Sequence, residues 1–376
     1  MITFADLPFI DCHFHTHMLV EQIDKANMHV SRDDPEKSSM MDLMELCSLN
    51  AINIVSSTGA VGEAKHMNEN LIAALAKILY PDRIYAFGGL HHQWPGVSES
   101  ALDYAGQARR LKDIGFDGIK MIEGKPTIRR NLGKSLDSEV FDDYYGFLEA
   151  ERFPILLHVG DPESFWRPGG QYSGSEFVGR EELYGEVDGI LAKFPGLRII
   201  LAHFYFMSND MDRSAAFLDK WPGISFDLTP GPTMYTHFSK QPEKWREFFT
   251  KYQDRILFGT DNHAEKRNFG PEAPDEYWPT PKIVAMRTFL ETDKEFRGWH
   301  SDLRGISLGK EALEKIYCKN FQRYAGKAPK KLNVGLAVDE CERIMDMARR
   351  KSVEHEVLLQ IQAFLEITAA GSRLTR

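Results

Sequence analysis

The chain of 376 residues is poor in cysteine, with only four. Cys12, Cys47, Cys318 and Cys341 lie far apart and form no CxxC pair. That excludes a disulfide framework and a thiolate zinc site, and it suits a reducing, cytoplasmic compartment. Long apolar runs are also missing, and none nears the ~18–20 residues of a membrane helix. The opening MITFADLPFID lacks a basic segment followed by an apolar one, so no secretory signal is expected. Positive charge is in deficit, with 46 Lys+Arg against 55 Asp+Glu and a net charge of -9. A nucleic-acid partner needs a basic patch, and none is expected here. Hydrophobic residues at 43% and charged residues at 27% are ordinary for a soluble globular protein. Histidine is comparatively plentiful, at 13 residues.

Short apolar runs alternate with amphipathic stretches. Strands are expected at 9–13, 52–56, 84–90, 118–122, 155–159, 197–202, 224–227 and 256–260. Several are apolar on consecutive residues, as in a parallel sheet covered on both faces. Helices are expected at 40–50, 68–80, 98–113, 141–151, 180–194, 211–221, 242–252, 282–290 and 311–324. Two of them end in similar phrases, FPG at 194–196 and WPG at 221–223, each leading into a strand. Eight strands alternating with helices predict an α/β fold, a (β/α)8 TIM barrel. A doubly wound sheet would favour a Gly-rich loop after the first strand, where HFHTHML stands instead. The barrel is expected over 1–327. A C-terminal helical extension, 328–376, follows a basic, Pro-containing linker, with helices at 338–351 and 353–369. Those helices are expected to cover the barrel or to meet a second copy in a homodimer. Residues 266–281, rich in Pro, Gly and aromatics, read as a long loop.

The first strand carries Asp11-x-His13-x-His15. Strict alternation would place all three on one face, with Cys12 turned away as a packed thiol. Two His at i, i+2 can hold one divalent metal. His158 ends PILLHVG, His203 ends IILAHF and Asp261 ends ILFGTD. In a barrel those strand ends converge on the face where catalytic groups collect. Imidazoles plus a carboxylate, with a coordination position left open, describe a catalytic metal centre.

These motifs, in this order over about residues 8–325, resemble the amidohydrolase superfamily, and more narrowly its branch of metal-dependent hydrolases and decarboxylases. The segment EALEKIYCKNFQRY is similar to that family's closing helix. The resemblance implies His13, His15, His158 and Asp261 as metal ligands, with Asp261 also moving the proton of a metal-activated water. His203 would serve as a base or electrostatic stabiliser, or as a ligand of a second metal. Lys120 could be carboxylated to bridge two metals or could bind substrate, with Glu123 as its partner or itself a ligand. One divalent ion is favoured, zinc ahead of manganese. Hydrolysis of an amide, lactone or ester-like small molecule is the leading reading. Decarboxylation of an aromatic or unsaturated acid is the alternative, and a metal-binding barrel without turnover the third. Trp166 could stack on a planar substrate and Arg167 could bind a carboxylate or phosphate. His91 or His92 could face the site, and His17 and His263 could stand behind it. Arg129 and Arg130 read as surface charges.

Overall fold

The computed structural model describes residues 7–15, 44, 48–61, 66–92, 102–231, 233–263, 279–349 and 365–366. Parallel strands run in chain order around a barrel: β1 (Ile10–His15), β2 (Ala51–Val55), β3 (Ile84–Gly88), β4 (Gly118–Gly124), β5 (Ile155–Val159), β6 (Ile199–Leu201), β7 (Ile224–Asp227) and β8 (Ile256–Leu257). The eighth strand resumes as β9 (Asn262–His263), which pairs in parallel with β1. Between the two segments, the Cys12 amide donates to the Phe258 carbonyl at 3.0 Å and the Asp261 amide to the His13 carbonyl at 2.8 Å. The first and eighth strands thus meet, and the fold is the (β/α)8 barrel expected of the strand pattern.

Alternation sorts the side chains into two cores. Leu156, Ile200, Ala202 and Leu257 fill the interior, while Ile155, Leu157, Ile199 and Phe226 face the helices. Helices α1 (Glu69–Leu79), α2 (Tyr104–Ile114), α3 (Pro126–Leu132), α4 (Asp142–Ala150), α5 (Arg180–Lys193), α6 (Met211–Lys220), α7 (Met234–Ser239), α8 (Pro242–Lys251) and α9 (Pro279–Glu291) supply the outer layer. A last helical run, Lys310–Glu314, Lys315–Lys319 and Asn320–Ala325, closes the lower end. There Phe321 meets Tyr85 edge-on at 5.0 Å, and Asn320 donates to the Gln253 and Ile256 carbonyls at 2.6 and 2.7 Å. Losing that carboxamide would strand two buried acceptors, at a cost of about 1–3 kcal/mol.

Several boundaries differ from the sequence pattern. Helix α2 starts at Tyr104 rather than 98, because Asp103 caps it by accepting from the Gly106 amide. It stops at Gly115, whose φ of 107° supplies the left-handed C-cap. Helix α9 starts at Pro279, inside the stretch read as a loop, and the rest of that loop lies outside the described residues. Of the helix expected at 40–50, position 44 is helical but residues 48–50 are not, Ser48 having a φ of 56°, and the rest lies outside the described residues, as does the helix expected at 353–369 apart from helical positions 365–366. Helices α3 and α7 were not foreseen. Beyond the barrel, α10 (Val334–Arg349) lies against α1 and α2.

Arg129 corrects the reading of a surface charge. It is buried and forms a bidentate pair with Glu186, whose carboxylate also accepts from the Leu136 amide at 2.7 Å. A partner 57 residues away pays for its desolvation, and such a contact leaves no local pattern in the chain. Arg130 keeps its guanidinium over the Phe177 ring at 4.8 Å.

Candidate metal centre

The first strand does not alternate strictly. Against β2, Asp11 pairs with Ile52 and Phe14 with Ile54, so β1 uses one residue more than its partner. Ile10 and Cys12 therefore face the interior, Phe14 faces the outer layer, and His13 and His15 come together at the upper end. A β-bulge re-aims side chains in this way. Two expectations are corrected. Cys12 is an interior residue, and Asp11 bonds across to the eighth strand instead of joining the two imidazoles. Its carboxylate accepts from the His13 amide at 3.1 Å, the Thr260 amide at 3.0 Å and the Thr260 hydroxyl. Burial pushes the Asp11 carboxyl up to about 7.

The convergence point is compact. His13 Nε2 and His15 Nε2 are 3.2 Å apart, and Asp261 Oδ1 lies 3.5 and 3.2 Å from them. Among the described residues these three form the metal-capable group, their donor atoms all within 4.8 Å of one another. Gly259 permits the approach: a Cβ there would meet Thr229 Oγ1 at 2.8 Å and the His13 Cβ at 3.0 Å.

The hydrogen bonds set the tautomer of His13. Asp227, fully buried at the end of β7, accepts from His13 Nδ1 through Oδ2 at 2.8 Å. The lone pair on His13 Nε2 is left facing Asp261, as a metal ligand requires. Lys120 donates to that same nitrogen at 3.0 Å. Burial lowers the Lys120 ammonium to about 8, opposed by the carboxylates of Asp261 and Asp227. Burial also holds His13 well below the ordinary histidine value, helped by the Lys120 charge. For Asp261 burial acts upward, but the His15 hydrogen bond and the His13, His15 and His203 rings together hold it well below the usual carboxylate range. The donor set fits a divalent cation: two imidazole nitrogens, one of them oriented by a buried carboxylate, and an ionised oxygen.

His158 and His203 form the other side. Their rings are 4.9 Å apart, and the His203 ring is 5.7 Å from that of His13. His158 Nε2 lies 3.0 Å from the Gly160 carbonyl, an acceptor, so this nitrogen carries the proton, with Asp161 Oδ1 3.7 Å away. Gly160 takes a φ of 75°, which a side chain would resist. His203 begins a turn in which His203, Phe204, Tyr205 and Phe206 have φ of 57°, 54°, 53° and 49°. For such residues the left-handed region costs about 1–2 kcal/mol each, so the turn persists only because its surroundings hold it. Asp227 Oδ1 accepts the His203 amide at 2.8 Å. His203 Nδ1 lies 3.3 Å from the Thr229 carbonyl, which leaves the Nε2 lone pair outward. Burial, followed by the His158 ring, lowers His203 to about 4. Sequence reasoning missed Asp227, although it ends a hydrophobic strand as His158 and Asp261 do.

A cleft of about 180 Å³ opens beside His203, lined by Arg167, Phe206, Ser208, Met234 and His237 among others. Arg167 stands at its mouth, exposed and 3.3 Å from Glu163. Trp166 packs on Tyr172 at 5.0 Å and donates its indole N–H to the Val178 carbonyl at 3.0 Å. Glu123 meets His92 at 2.6 Å rather than Lys120, and His91 Nε2 bonds the Met67 carbonyl at 2.9 Å. His17 and the side chain of His263 lie outside the described residues.

A family model described as Amidohydrolase matches residues 10–323. No curated protein matches the sequence. Solved structures share the fold at low identity. An uncharacterized TIM-barrel protein from Bordetella bronchiseptica aligns at 14% identity and a TM-score of 0.55, over 85% of this chain and 99% of that one. The 4-oxalomesaconate hydratase of Rhodopseudomonas palustris aligns at 14% and 0.51, over 85% and 96%. The 5-carboxyvanillate decarboxylase of Novosphingobium aromaticivorans, solved with manganese and 3-methoxy-4-hydroxy-5-nitrobenzoic acid, aligns at 14% and 0.51, over 85% and 97%. At these identities the structures speak for the fold alone. The family match spans most of the chain, and the protein belongs to the amidohydrolase family of metal-dependent enzymes.

Proposed function

We propose that the protein is a metal-dependent hydrolase of small molecules carrying an amide, lactone or ester-like bond. One observation carries this reading: the carboxylate at the convergence point, Asp261, lies within 3.5 Å of two imidazole nitrogens, beside the cation they would hold and placed to take a proton from water there. Hydrolysis needs a base at that place, whereas decarboxylation needs an acid to protonate carbon.

His13, His15 and Asp261 would hold the cation, and His158 would join them only by turning Nε2 off the Gly160 carbonyl. The cation, when bound, polarises the substrate's carbonyl and makes water more acidic. Asp261 takes the proton of the attacking water and returns it to the leaving atom. Lys120, an ammonium below about pH 8, sits beside His13 and stabilises negative charge as it builds on the substrate oxygen. His203 presents an unprotonated Nε2 to the cleft and accepts a hydrogen bond from the water or the substrate. Arg167 at the mouth suits a carboxylate on the substrate. We propose zinc, ahead of manganese, at one ion per chain, since imidazole and carboxylate accept both.

The Lys120 ammonium is also a proton donor, and it is the feature that favours the carboxy-lyase reading. The test reloads chelator-stripped protein with zinc or manganese and assays two panels. Acid release from lactones, esters or amides supports hydrolysis. Release of carbon dioxide from aromatic or unsaturated acids, with no hydrolysis, replaces it with decarboxylation.

A further inference from the structure

The left-handed turn at 203–206 is held at its beginning by Asp227, but its far end needs another support. Helix α5 provides one. Tyr184, on its first turns, donates its hydroxyl to the Tyr205 carbonyl at 3.0 Å. Arg180, four residues earlier on the same face, donates Nη2 to the Phe206 carbonyl at 2.8 Å and Nε to the Tyr184 hydroxyl at 3.1 Å. Its guanidinium also lies over the Tyr184 ring at 5.0 Å. Two successive carbonyls of the turn are thereby taken by two linked donors from one helix.

Arg180 reaches the opposite wall of the cleft as well. Its Nη1 is 3.8 Å from Glu163, and the Glu163 carboxylate meets Arg167 at 3.3 Å and the Asn209 side-chain amide at 3.3 Å. The loop after β5 and the segment after β6 are thus joined at Glu163, by the Arg180 guanidinium and by Asn209.

We propose that Arg180 and Tyr184 are positioning residues of this site: they hold the 203–206 turn in its left-handed form, aim His203 Nε2 and the Phe206 ring into the cleft, and through Glu163 set the placement of Arg167. The inference rests on the reading of His203 as a group that acts at the site. A purely structural role would show as lost stability, whereas positioning shows in the imidazole itself. With the far end of the turn released, His203 Nδ1 loses its fixed distance from the Thr229 carbonyl and the ring samples both tautomers. Tyr184→Phe removes one hydroxyl and should lower kcat about 10–100-fold, the usual cost of losing a supporting group, at unchanged KM. Arg180→Gln should lower kcat similarly and also raise KM, because it frees Glu163 and Arg167. Arg180→Lys should recover part of the loss.

The deciding experiment is nitrogen-15 NMR of the His203 imidazole in the full-length, zinc-loaded protein, with melting temperature and zinc content measured alongside. Wild type should show one fixed tautomer protonated at Nδ1, and the variants an averaged pair of signals. A change in either variant supports the clamp and identifies the group that carries it. Wild-type signals in both overturn it, whatever the melting temperatures. The measurement needs no turnover, so failure of the hydrolase reading, with no product from any panel substrate, stays distinguishable.

Discussion

The two sides of the site are built differently. On the side of β1 and the eighth strand, His13, His15 and Asp261 sit on backbone joined strand to strand, with donor atoms 3.2–3.5 Å apart. On the side of β5 and β6, His158 is turned to its own loop, and His203 rides on a strained turn beside the cleft. In the proposed reading the first side binds the cation and the second faces the substrate, where a turn of unusual backbone places a lone pair and an aromatic ring together. Asp227 bridges them, one oxygen on His13 and the other on the His203 amide.

The comparison predicts a ranking of losses. Asp261→Asn keeps the shape and removes the base, and kcat/KM should fall about 10³-fold or more in steady-state assays at unchanged melting temperature. Less than tenfold would move the base elsewhere. His13→Ala should abolish zinc binding in calorimetric titration, whereas His158→Ala should weaken it about 10–100-fold, like a supporting group. Equal losses would make the two sides one ligand set. Asp227→Asn puts an NH2 group where one oxygen accepts, from His13 Nδ1 on one side or from the His203 and Thr229 amides on the other, and should reduce zinc affinity and kcat together, by about 10–100-fold each. An effect on only one of them would break the bridge.

The smallest effect is on pH. His203 is lowered from 6.5 to about 4, so the folded protein takes up this proton later than the unfolded chain does. Its contribution to stability is complete above 6.5 and lost as pH falls toward about 4. The acid limb of kcat/KM should accordingly lie below about pH 5. A limb near 6.5 would place His203 in solvent.

Much of this was legible in the chain. Consecutive apolar residues located the strands, and the polar residues ending four of them, His13, His158, His203 and Asp261, do reach the upper end of the barrel. What escaped has physical reasons. A one-residue bulge between Asp11 and Phe14 reverses a face without altering composition, so strict alternation misplaced Asp11 and Cys12. The left-handed turn at His203 contains no glycine to announce it. Arg129 looked like a surface charge because Glu186 is distant in sequence. Asp227 was overlooked for want of a neighbouring histidine, although its position at a strand end carried the same signal as Asp261.

Anomalous diffraction from crystals grown with zinc tests the central claim most directly. The account predicts one peak per chain at about 2.0–2.2 Å from His13 Nε2, His15 Nε2 and an Asp261 oxygen. Zinc bound elsewhere in the chain, with those three side chains still bonded only to one another, would contradict it.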